Sequence, residues 1–372
     1  MIKQWNMYEP IPELAAFAHA IGQDEMMATL LWHRGIRDAR AAEAFLHPEA
    51  QPFRDPFLMK DMKPAVARIL QAMEKEQHIT VYGDYDVDGM TATSLLLLNL
   101  RAMGARADFY IPDRLTEGYG LNRQALEQLA ETTDLLVTVD CGIASVVDVG
   151  AMKGRLDIIV TDHHLPGEVL PDAVAVLNPH RPDCPYPDKE LAGVGVAFKL
   201  CQALWQEHGG HGDVRGIELV ALGTVADLVA LRGENRRIVK EGLARMEEDP
   251  LPGIAALLAV ANLTGKHLNA GHIGFLLAPR LNAAGRIRSA RQGVKLLTAK
   301  SPEEAAPIAE ELDLLNRERQ ELERAIVQQA EEKLAAEDPF SLPAIVVAGR
   351  GWNPGVIGIA ASRLVDRYYK PT

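Results

Sequence analysis

Cysteine is scarce in this chain of 372 residues, which has only Cys141, Cys184 and Cys201. They form no Cys-x-x-Cys pair, and their odd number leaves one thiol unpaired in any disulfide scheme. This composition suits a protein of a reducing cytosol better than a secreted scaffold stabilised by disulfide bonds.

Long apolar runs are also missing. Apolar runs such as residues 95–98 and 356–361 are far shorter than the roughly 20 residues that a membrane-spanning helix needs. We recognise no secretory signal peptide, no internal repeat and no low-complexity tract. The expectation is a soluble, cytoplasmic protein without a membrane partner.

Positive charge is in deficit, because the formal net charge is -12, and this argues against a generic polyanion binder. Residues 279–300 are an exception, since this basic tract contains no acidic residue. Its cations are Arg280, Arg286, Arg288, Arg291, Lys295 and Lys300. The tract could follow a phosphate backbone or form a solvated helix face, and on charge alone the solvated face is the preferred interpretation.

The length of the chain predicts at least two domains. Apolar residues at helical spacing predict helices in the first fifty residues, before prolines interrupt the pattern. Apolar runs then alternate with amphipathic segments, which is typical of a parallel α/β sheet. The predicted strands are residues 79–82, 108–111, 135–139, 158–161 and 174–177, and predicted helices at 193–208 and 218–231 follow them.

A second α/β unit is predicted near the end of the chain. Ser301-Pro302-Glu303-Glu304 is a capping box with proline at the first helical position. The helix that begins there contains no glycine or proline from residue 308 to about 336, so it is long enough to connect two domains. Residues 344–348 are predicted to form a strand, and residues 351–355 lead into another helix. A piece this short cannot bury a core alone, so we expect either that the unit packs on the first domain or that the chain is a fragment with this unit incomplete.

Carboxylates follow the first predicted strand directly, as Asp84, Asp86 and Asp88. Ligands of parallel α/β sheets collect at the carboxyl ends of strands. The spacing superficially matches a calcium-binding EF-hand loop, but the twelfth position is Leu95 where that loop needs glutamate. The alternative that remains is a surface turn rich in aspartate.

Further candidate ligands follow later strands and helices, which favours a metal site over a surface turn. They are Asp140, Asp162, His163, His164 and Asp227. Oxygen ligands with one or two imidazoles favour Mn²⁺ or Mg²⁺, and more carboxylates than one ion needs indicate two ions. Two such ions can activate water and stabilise both oxygens of a phosphoryl displacement. The sequence therefore predicts phosphoester hydrolysis.

These residues lie in motifs that resemble those of the DHH phosphoesterases and, within that family, of exonucleases specific for single-stranded DNA. The blocks are residues 81–89 (VYGDYDVDG), 139–143 (VDCGI), 160–165, 191–199 (LAGVGVAFK), 223–227 (GTVAD), 279–286 (PRLNAAGR) and 356–364. The early blocks are common to the superfamily, whereas 191–199 and 279–286 resemble the exonucleases specifically.

The resemblance implies an α/β fold in which a parallel-sheet DHH phosphoesterase domain is joined by a long helix to a second, smaller α/β domain. The implied division is an N-terminal helical segment (1–60), the DHH phosphoesterase domain with a helical extension (61–300), a connecting helix (301–338) and the start of a truncated DHH-associated domain (339–372).

The resemblance also implies roles for individual residues. One ion would be held by Asp86 and Asp140, and the other by Asp88, Asp140, His163 and Asp227, with Asp140 bridging and Asp84 close enough to contribute. His164 would act at the scissile phosphate as acid or electrostatic stabiliser, and Asp162 would orient the two histidines. With Asp140 these two residues make up the implied catalytic set.

Contacts with DNA are implied for Arg114, Arg280, Asn282, Arg286, Asn353, Gly355 and Arg363. At Asn353 the chain departs from the family, which usually has histidine there. Asparagine still donates a hydrogen bond but carries no charge at neutral pH.

The implied activity is 5′ to 3′ hydrolysis of single-stranded DNA in recombination and repair, with a helicase and a single-strand-binding protein as partners. Two alternatives stay open. One is an oligoribonuclease or cyclic-dinucleotide phosphodiesterase of the same superfamily, against which the chain length and the basic tract count. The other is a non-catalytic DNA-binding scaffold, against which the retained candidate ligands count.

Overall fold

The structure is a computed structural model that describes residues 5–114, 116–118, 120–209, 212–335 and 339–372. Its centre is one parallel sheet in the order β2-β1-β3-β4-β5. The strands are β1 (Ile79–Gly83), β2 (Ala107–Tyr110), β3 (Leu135–Val139), β4 (Asp157–Thr161) and β5 (Ala175–Leu177). All five predicted strands and the α/β class are confirmed.

Both faces of the sheet are buried, because successive side chains of a strand point to opposite faces. One face packs Val81, Val137 and Ile159 into the larger core, together with the helices α4 (Met62–Glu74) and α5 (Val87–Ala102). The other face packs side chains such as Leu136 and Val160 against α6 (Arg123–Leu129) and α7 (Val146–Ala151). Strands buried on both faces explain the near-continuous apolar runs in the sequence.

The N-terminal segment is helical, as predicted. Its helices are α1 (Leu14–Ala20), α2 (Glu25–His33) and α3 (Ala39–Leu46), followed by short 3₁₀ turns at Pro48–Ala50 and Pro56–Leu58. Asp24 and Asp38 begin α2 and α3, because each carboxylate accepts a backbone N–H three residues further along.

A helical extension follows the sheet. It comprises α8 (Gly193–Glu207), α9 (Ile217–Ala226), α10 (Gly233–Glu248), α11 (Pro252–Val260) and α12 (Ala270–His272), a π-helical turn at Ile273–Leu277, α13 (Ala278–Ile287) and α14 (Arg291–Leu297). The predicted helix at 218–231 ends at residue 226, five residues early. Leu228 has φ 61°, a left-handed conformation that an α-helix cannot contain.

Helix α15 (Pro302–Leu334) begins as predicted, since the Ser301 hydroxyl accepts the N–H of Glu304 at 3.3 Å. Its predicted end near residue 336 lies in the segment 336–338, outside the described residues. The first half packs through Ala305, Ala309 and Leu312 into the main core. The second half packs through Ile326 against α16 (Pro354–Tyr368), so the helix joins two packing units.

The strand predicted at 344–348 is wrong, because this segment has no regular structure. The N–H of Ile345 donates to the Pro371 carbonyl at 2.8 Å, which is a loop contact and not part of a sheet. A strand needs a neighbouring strand for its backbone groups, and the second unit offers none in the part of the chain that is described. No helix among the described residues is both long and apolar enough to cross a membrane.

Candidate metal centre

The carboxyl edge of the sheet places three aspartates side by side. Gly83 of β1 is in register with Val139 of β3, which is in register with Thr161 of β4. The next residue in each strand is an aspartate, so Asp84, Asp140 and Asp162 emerge at one edge, and all three are buried.

The turn after β1 supplies two more carboxylates. Asp86 begins helix α5, and its carboxylate accepts the N–H of Gly89 at 2.9 Å. Asp88 is buried and accepts the N–H groups of Gly193 and Val194 at 2.6 and 2.8 Å. Those two N–H groups lie at the start of α8, where unpaired donors and the helix dipole favour a negative charge.

His163 lies between carboxylates that come from three separate elements. Its Nε2 atom is 3.2 Å from Oδ1 of Asp140, 3.7 Å from Oδ2 of Asp88 and 3.7 Å from Oδ2 of Asp227. Asp227 reaches this position as the C-cap of α9. Sequence positions that are far apart thus meet at one imidazole.

Three overlapping groups of side chains could each hold a cation. They are Asp84, Asp86 and Asp140; Asp88, His163 and Asp227; and Asp140, His163 and His164. In each group the ligand atoms lie within 4.8 Å of one another. Asp140 belongs to two groups, as a bridging ligand requires, and the predicted ligands all fall within the cluster.

Asp162 holds the two histidines in position through hydrogen bonds. Its Oδ1 accepts the backbone N–H groups of His163 and His164 and contacts Nδ1 of His164 at 2.7 Å, while Oδ2 accepts the N–H of Ile143 at 2.9 Å. Burial raises the pKa of Asp162, but these hydrogen bonds outweigh it and leave the pKa below the ordinary value. The hydrogen bond with this carboxylate raises the pKa of His164.

The other carboxylates of the cluster are buried close together, which disfavours their negative charges. Burial and the neighbouring carboxylate of Asp86 raise the pKa of Asp84 and of Asp88 to about 7. Burial, followed by the charge of Asp88, also raises the pKa of Asp140. Buried ligand atoms of Asp84 (Oδ1), Asp140 (Oδ1) and His163 (Nε2) have no hydrogen-bond partner among the described residues. A divalent cation would satisfy both the charge and these atoms.

Two of the arginines implied for DNA contact lie beside the cluster. The guanidinium of Arg114 lies over the ring of Tyr85, 5.0 Å from its centroid. Arg286 is partly buried, donates to the Gly355 carbonyl at 2.9 Å and has no carboxylate within ion-pair distance among the described residues. Burial, together with the nearby charges of Arg114 and Arg319, lowers the pKa of Arg286. Arg286 is therefore a cation beside the cluster that has no carboxylate partner in the part of the chain that is described.

The other implied DNA contacts differ in their surroundings. Asn282 is partly buried on α13. Asn353 begins α16, where its side-chain oxygen accepts the N–H of Gly355 at 2.7 Å. Gly355 packs against the backbone of Arg286, because a Cβ there would lie 2.5 Å from the Arg286 carbonyl oxygen. These contacts bring α16 to the end of α13.

Arg280 and Arg363 both have acidic partners in this structure. Arg280 donates to Asp313 at 2.9 Å and to the Leu276 carbonyl at 2.6 Å, and its side chain is only 15% exposed. Arg363 donates to Glu323 at 2.8 Å. Their contact with DNA stays a prediction, and the observed partners give Arg280 a structural task.

Several residues of the site escaped the sequence reasoning. A Cβ at Gly193 would lie 2.6 Å from the Cβ of Asp140, and one at Gly223 would lie 2.9 Å from Oδ1 of Asp88. Both glycines therefore let a helix approach the carboxylates closely. The motif blocks 191–199 and 223–227 contained them, but only the fold shows what they touch.

The fold and this cluster define a class of protein, and comparisons with known proteins agree. The model of the DHH family, N-terminal domain, matches residues 78–224. The single-stranded-DNA-specific exonuclease RecJ of Bacillus subtilis is 47% identical over 371 residues, which cover 99% of this chain and 47% of that protein. RecJ of Escherichia coli is 39% identical over 93% of this chain and 62% of its own length.

Solved structures extend the comparison. RecJ from Thermus thermophilus in complex with Mn²⁺ has a TM-score of 0.83 at 33% identity, covering 97% of this chain and 52% of the other. A manganese-bound exonuclease RecJ has a TM-score of 0.76 at 37% identity, covering 86% of this chain and 80% of the other. The chain belongs to the DHH family. Within that family it is similar to the RecJ exonucleases, and it spans about half the length of the Bacillus relative.

Proposed function

We propose that this chain hydrolyses the phosphodiester bonds of single-stranded DNA, from the 5′ end, with two divalent cations, Mn²⁺ or Mg²⁺. The observation that carries the proposal is the buried cluster of three ligand groups, which overlap because Asp140 and His163 each belong to two of them. Its unpaired ligand atoms and its raised carboxyl pKa values are what side chains prepared for a cation should have before the cation binds.

The proposed ligands of one ion are Asp86 and Asp140, with a contribution from Asp84. Those of the second are Asp88, Asp140, His163 and Asp227. When bound, the ions supply a hydroxide at neutral pH and neutralise charge on the phosphate. The backbone N–H groups of Gly193 and Val194 fix the Asp88 carboxylate in one orientation, as outer partners of metal ligands do.

His164 is the proposed group that acts on the phosphate. Its Nδ1 proton points to the Asp162 carboxylate at 2.7 Å, which leaves Nε2 as the atom directed toward substrate. The side chain is 46% exposed, and the Asp162 contact raises its pKa. The Asp162 contact therefore stabilises the imidazolium form, which can donate to a phosphate oxygen or to the leaving oxygen.

Arg114 and Arg286 are the proposed contacts for DNA phosphates. Arg286 is a half-buried cation without a carboxylate partner among the described residues, beside a cluster of metal ligands. A phosphate bound there would give it the missing anion. Asn282, Asn353, Gly355 and Arg363 are proposed as more distant contacts of the same DNA-binding surface, and Arg280 is proposed to position that surface through its bond to Asp313.

The biological setting is proposed from the family resemblance alone. It comprises recombination and repair of DNA in the cytoplasm, with a helicase that supplies single strands and a protein that coats them. The division of the chain at about residues 60, 300 and 338 is a proposal of the same kind. Limited proteolysis would test it, since cleavage should concentrate near the boundaries.

End-labelled single strands test the activity. With Mn²⁺ we expect loss of a 5′ label as mononucleotide at early times, while a 3′ label stays on shortened strands. Duplex DNA and single-stranded RNA of the same sequence should be cut far more slowly, and EDTA should stop the reaction. Faster cleavage of dinucleotides than of long strands would instead support the oligoribonuclease alternative, and binding without cleavage would support the scaffold.

A further inference from the structure

Leu228 has two unusual features that the candidate metal centre does not explain. It directly follows Asp227, yet its backbone is left-handed with φ 61°, a conformation that is strained for a residue with a Cβ. Its apolar side chain is 86% exposed. A strained backbone that holds an apolar side chain in solvent beside a candidate ligand indicates a functional constraint.

A second irregularity lies in the helix that packs beside α9. Residues Ile273–Leu277 form a π-helical turn, in which the N–H of Ala278 bonds to the Ile273 carbonyl. Pro279 accounts for the irregular turn, because its ring has no N–H for the Phe275 carbonyl four residues back. Arg280 completes it by donating to the Leu276 carbonyl. The turn leaves the Phe275 ring 83% exposed.

The two irregular segments are neighbours. A Cβ at Gly274 would lie 4.0 Å from the side chain of Val225, and the Val225 carbonyl accepts the N–H of Leu228 at 3.3 Å. Ile273, Leu277 and Val225 are buried in the common core, so the segments are fixed relative to each other. Phe275 and Leu228 are the exposed apolar residues of this junction.

We infer that Leu228 and Phe275 form a platform for an unstacked nucleobase of the substrate strand. The inference rests on the proposed function and names how that site would select single strands. A strand whose phosphate lies at the cluster must place the attached bases close by, and Leu228 is one residue from a proposed ligand. Apolar and aromatic surfaces hold bases of any sequence by stacking, whereas paired bases of a duplex are not available for it.

Strands with and without bases test the platform. The substrates are a short oligothymidylate and a strand of equal length whose terminal nucleotides are abasic. Base stacking on an aromatic side chain changes affinity on the order of tenfold, so the parent protein should cleave the base-bearing strand with about tenfold higher kcat/KM. Phe275→Ala and Leu228→Ala should lose most of this preference, through slower cleavage of the base-bearing strand alone.

A binding signal and matched variants complete the experiment. The fluorescence of a terminal 2-aminopurine should be quenched on binding to the parent and to Phe275→Trp, and much less by Phe275→Ala. Met26→Ala, which removes a remote side chain that is 76% exposed on α2, should leave every readout unchanged. An unaltered preference and unaltered quenching in both alanine variants would overturn the platform. A parent that cleaves neither strand would instead overturn the proposed function.

Discussion

At the scale of the residue, the site depends most on Asp140. It is buried, it belongs to two of the three ligand groups, and its backbone is left-handed with φ 60°. Aspartate and asparagine tolerate that conformation better than other residues with a Cβ. The charge of this side chain can therefore be removed while its shape and its backbone conformation are kept.

Asp140→Asn should abolish hydrolysis while the fold is retained. Loss of a ligand shared by two ions should remove several kcal/mol of transition-state stabilisation, which corresponds to a rate at least about a thousandfold lower. In EDTA the variant should be as stable as the parent or more so, because one of several repelling carboxylates is gone. Single-turnover rates in Mn²⁺ and urea unfolding in EDTA measure the two effects. Appreciable turnover at saturating Mn²⁺ would contradict the bridging assignment.

Leu228→Gly should separate stability from function. Glycine adopts positive φ without strain, so the free energy of unfolding should rise by up to about 1 kcal/mol after the greater flexibility of glycine in the unfolded chain is deducted. The platform loses a side chain, so cleavage of base-bearing strands should slow. The measurement is urea unfolding of Leu228→Gly and Leu228→Ala under the same conditions. A glycine variant that is less stable than the alanine variant would show that the left-handed backbone is not strained.

At the scale of the element, helix α13 carries two arginines with different tasks. Arg280 points into the interface with α15 and completes the π-turn, whereas Arg286 at the other end points toward the cluster with its charge unpaired by any carboxylate among the described residues. Both belong to one basic tract, and their surroundings, not their sequence positions, distinguish them.

Arg280→Ala should therefore reduce stability, whereas Arg286→Ala should reduce DNA binding. Arg280→Ala removes the side-chain donor to the Leu276 carbonyl and to Asp313, so the free energy of unfolding should fall by about 1–3 kcal/mol, with little change in the salt dependence of DNA binding. Arg286→Ala should keep its stability, weaken single-strand binding and reduce the slope of log K against log salt by about one. Urea unfolding measures the stability of each variant, and anisotropy titrations at several salt concentrations measure DNA binding. If Arg286→Ala lost stability and Arg280→Ala lost the salt dependence, the two assignments would have to be exchanged.

Sequence reasoning succeeded wherever the signal was local. Apolar runs predicted the buried strands, and the parallel arrangement of the strands then placed Asp84, Asp140 and Asp162 at one edge of the sheet. Sequence reasoning failed where the outcome depended on a partner far along the chain. The segment 344–348 has strand composition but no neighbouring strand among the described residues, and the inward direction of Arg280 depends on Asp313, which lies on another helix.

At the scale of the whole molecule, the protein is acidic, and its cluster of candidate metal ligands has an excess of negative charge. The net charge of -12 opposes binding to DNA at long range, so affinity must come from local cations and from metal ions. Folding brings the cluster's carboxylates together against their mutual repulsion. Metal binding, proton binding and stability should therefore be linked.

That linkage predicts an unusual dependence of stability on pH. The pKa values of Asp84 and Asp88 are raised to about 7 and that of Asp227 to about 6, chiefly by burial. Between about pH 4 and 7 the folded state thus holds protons that the unfolded state has released, so the free energy of unfolding must fall as pH rises. The raised pKa of His164 acts in the same direction, and the lowered pKa of His163 opposes it.

In EDTA we therefore expect the free energy of unfolding to fall by at least about 2 kcal/mol between pH 5 and pH 7.5. Mn²⁺ should reverse the trend, because ions that replace protons bind more tightly as pH rises and stabilise the folded state by mass action. Urea unfolding across this pH range, with EDTA or Mn²⁺, measures both. Asp84→Asn serves as the control, since loss of one raised carboxyl should flatten the curve in EDTA. A parent whose stability in EDTA is constant or rises over this range would show that the pKa values of these carboxyl groups are not raised in the folded protein.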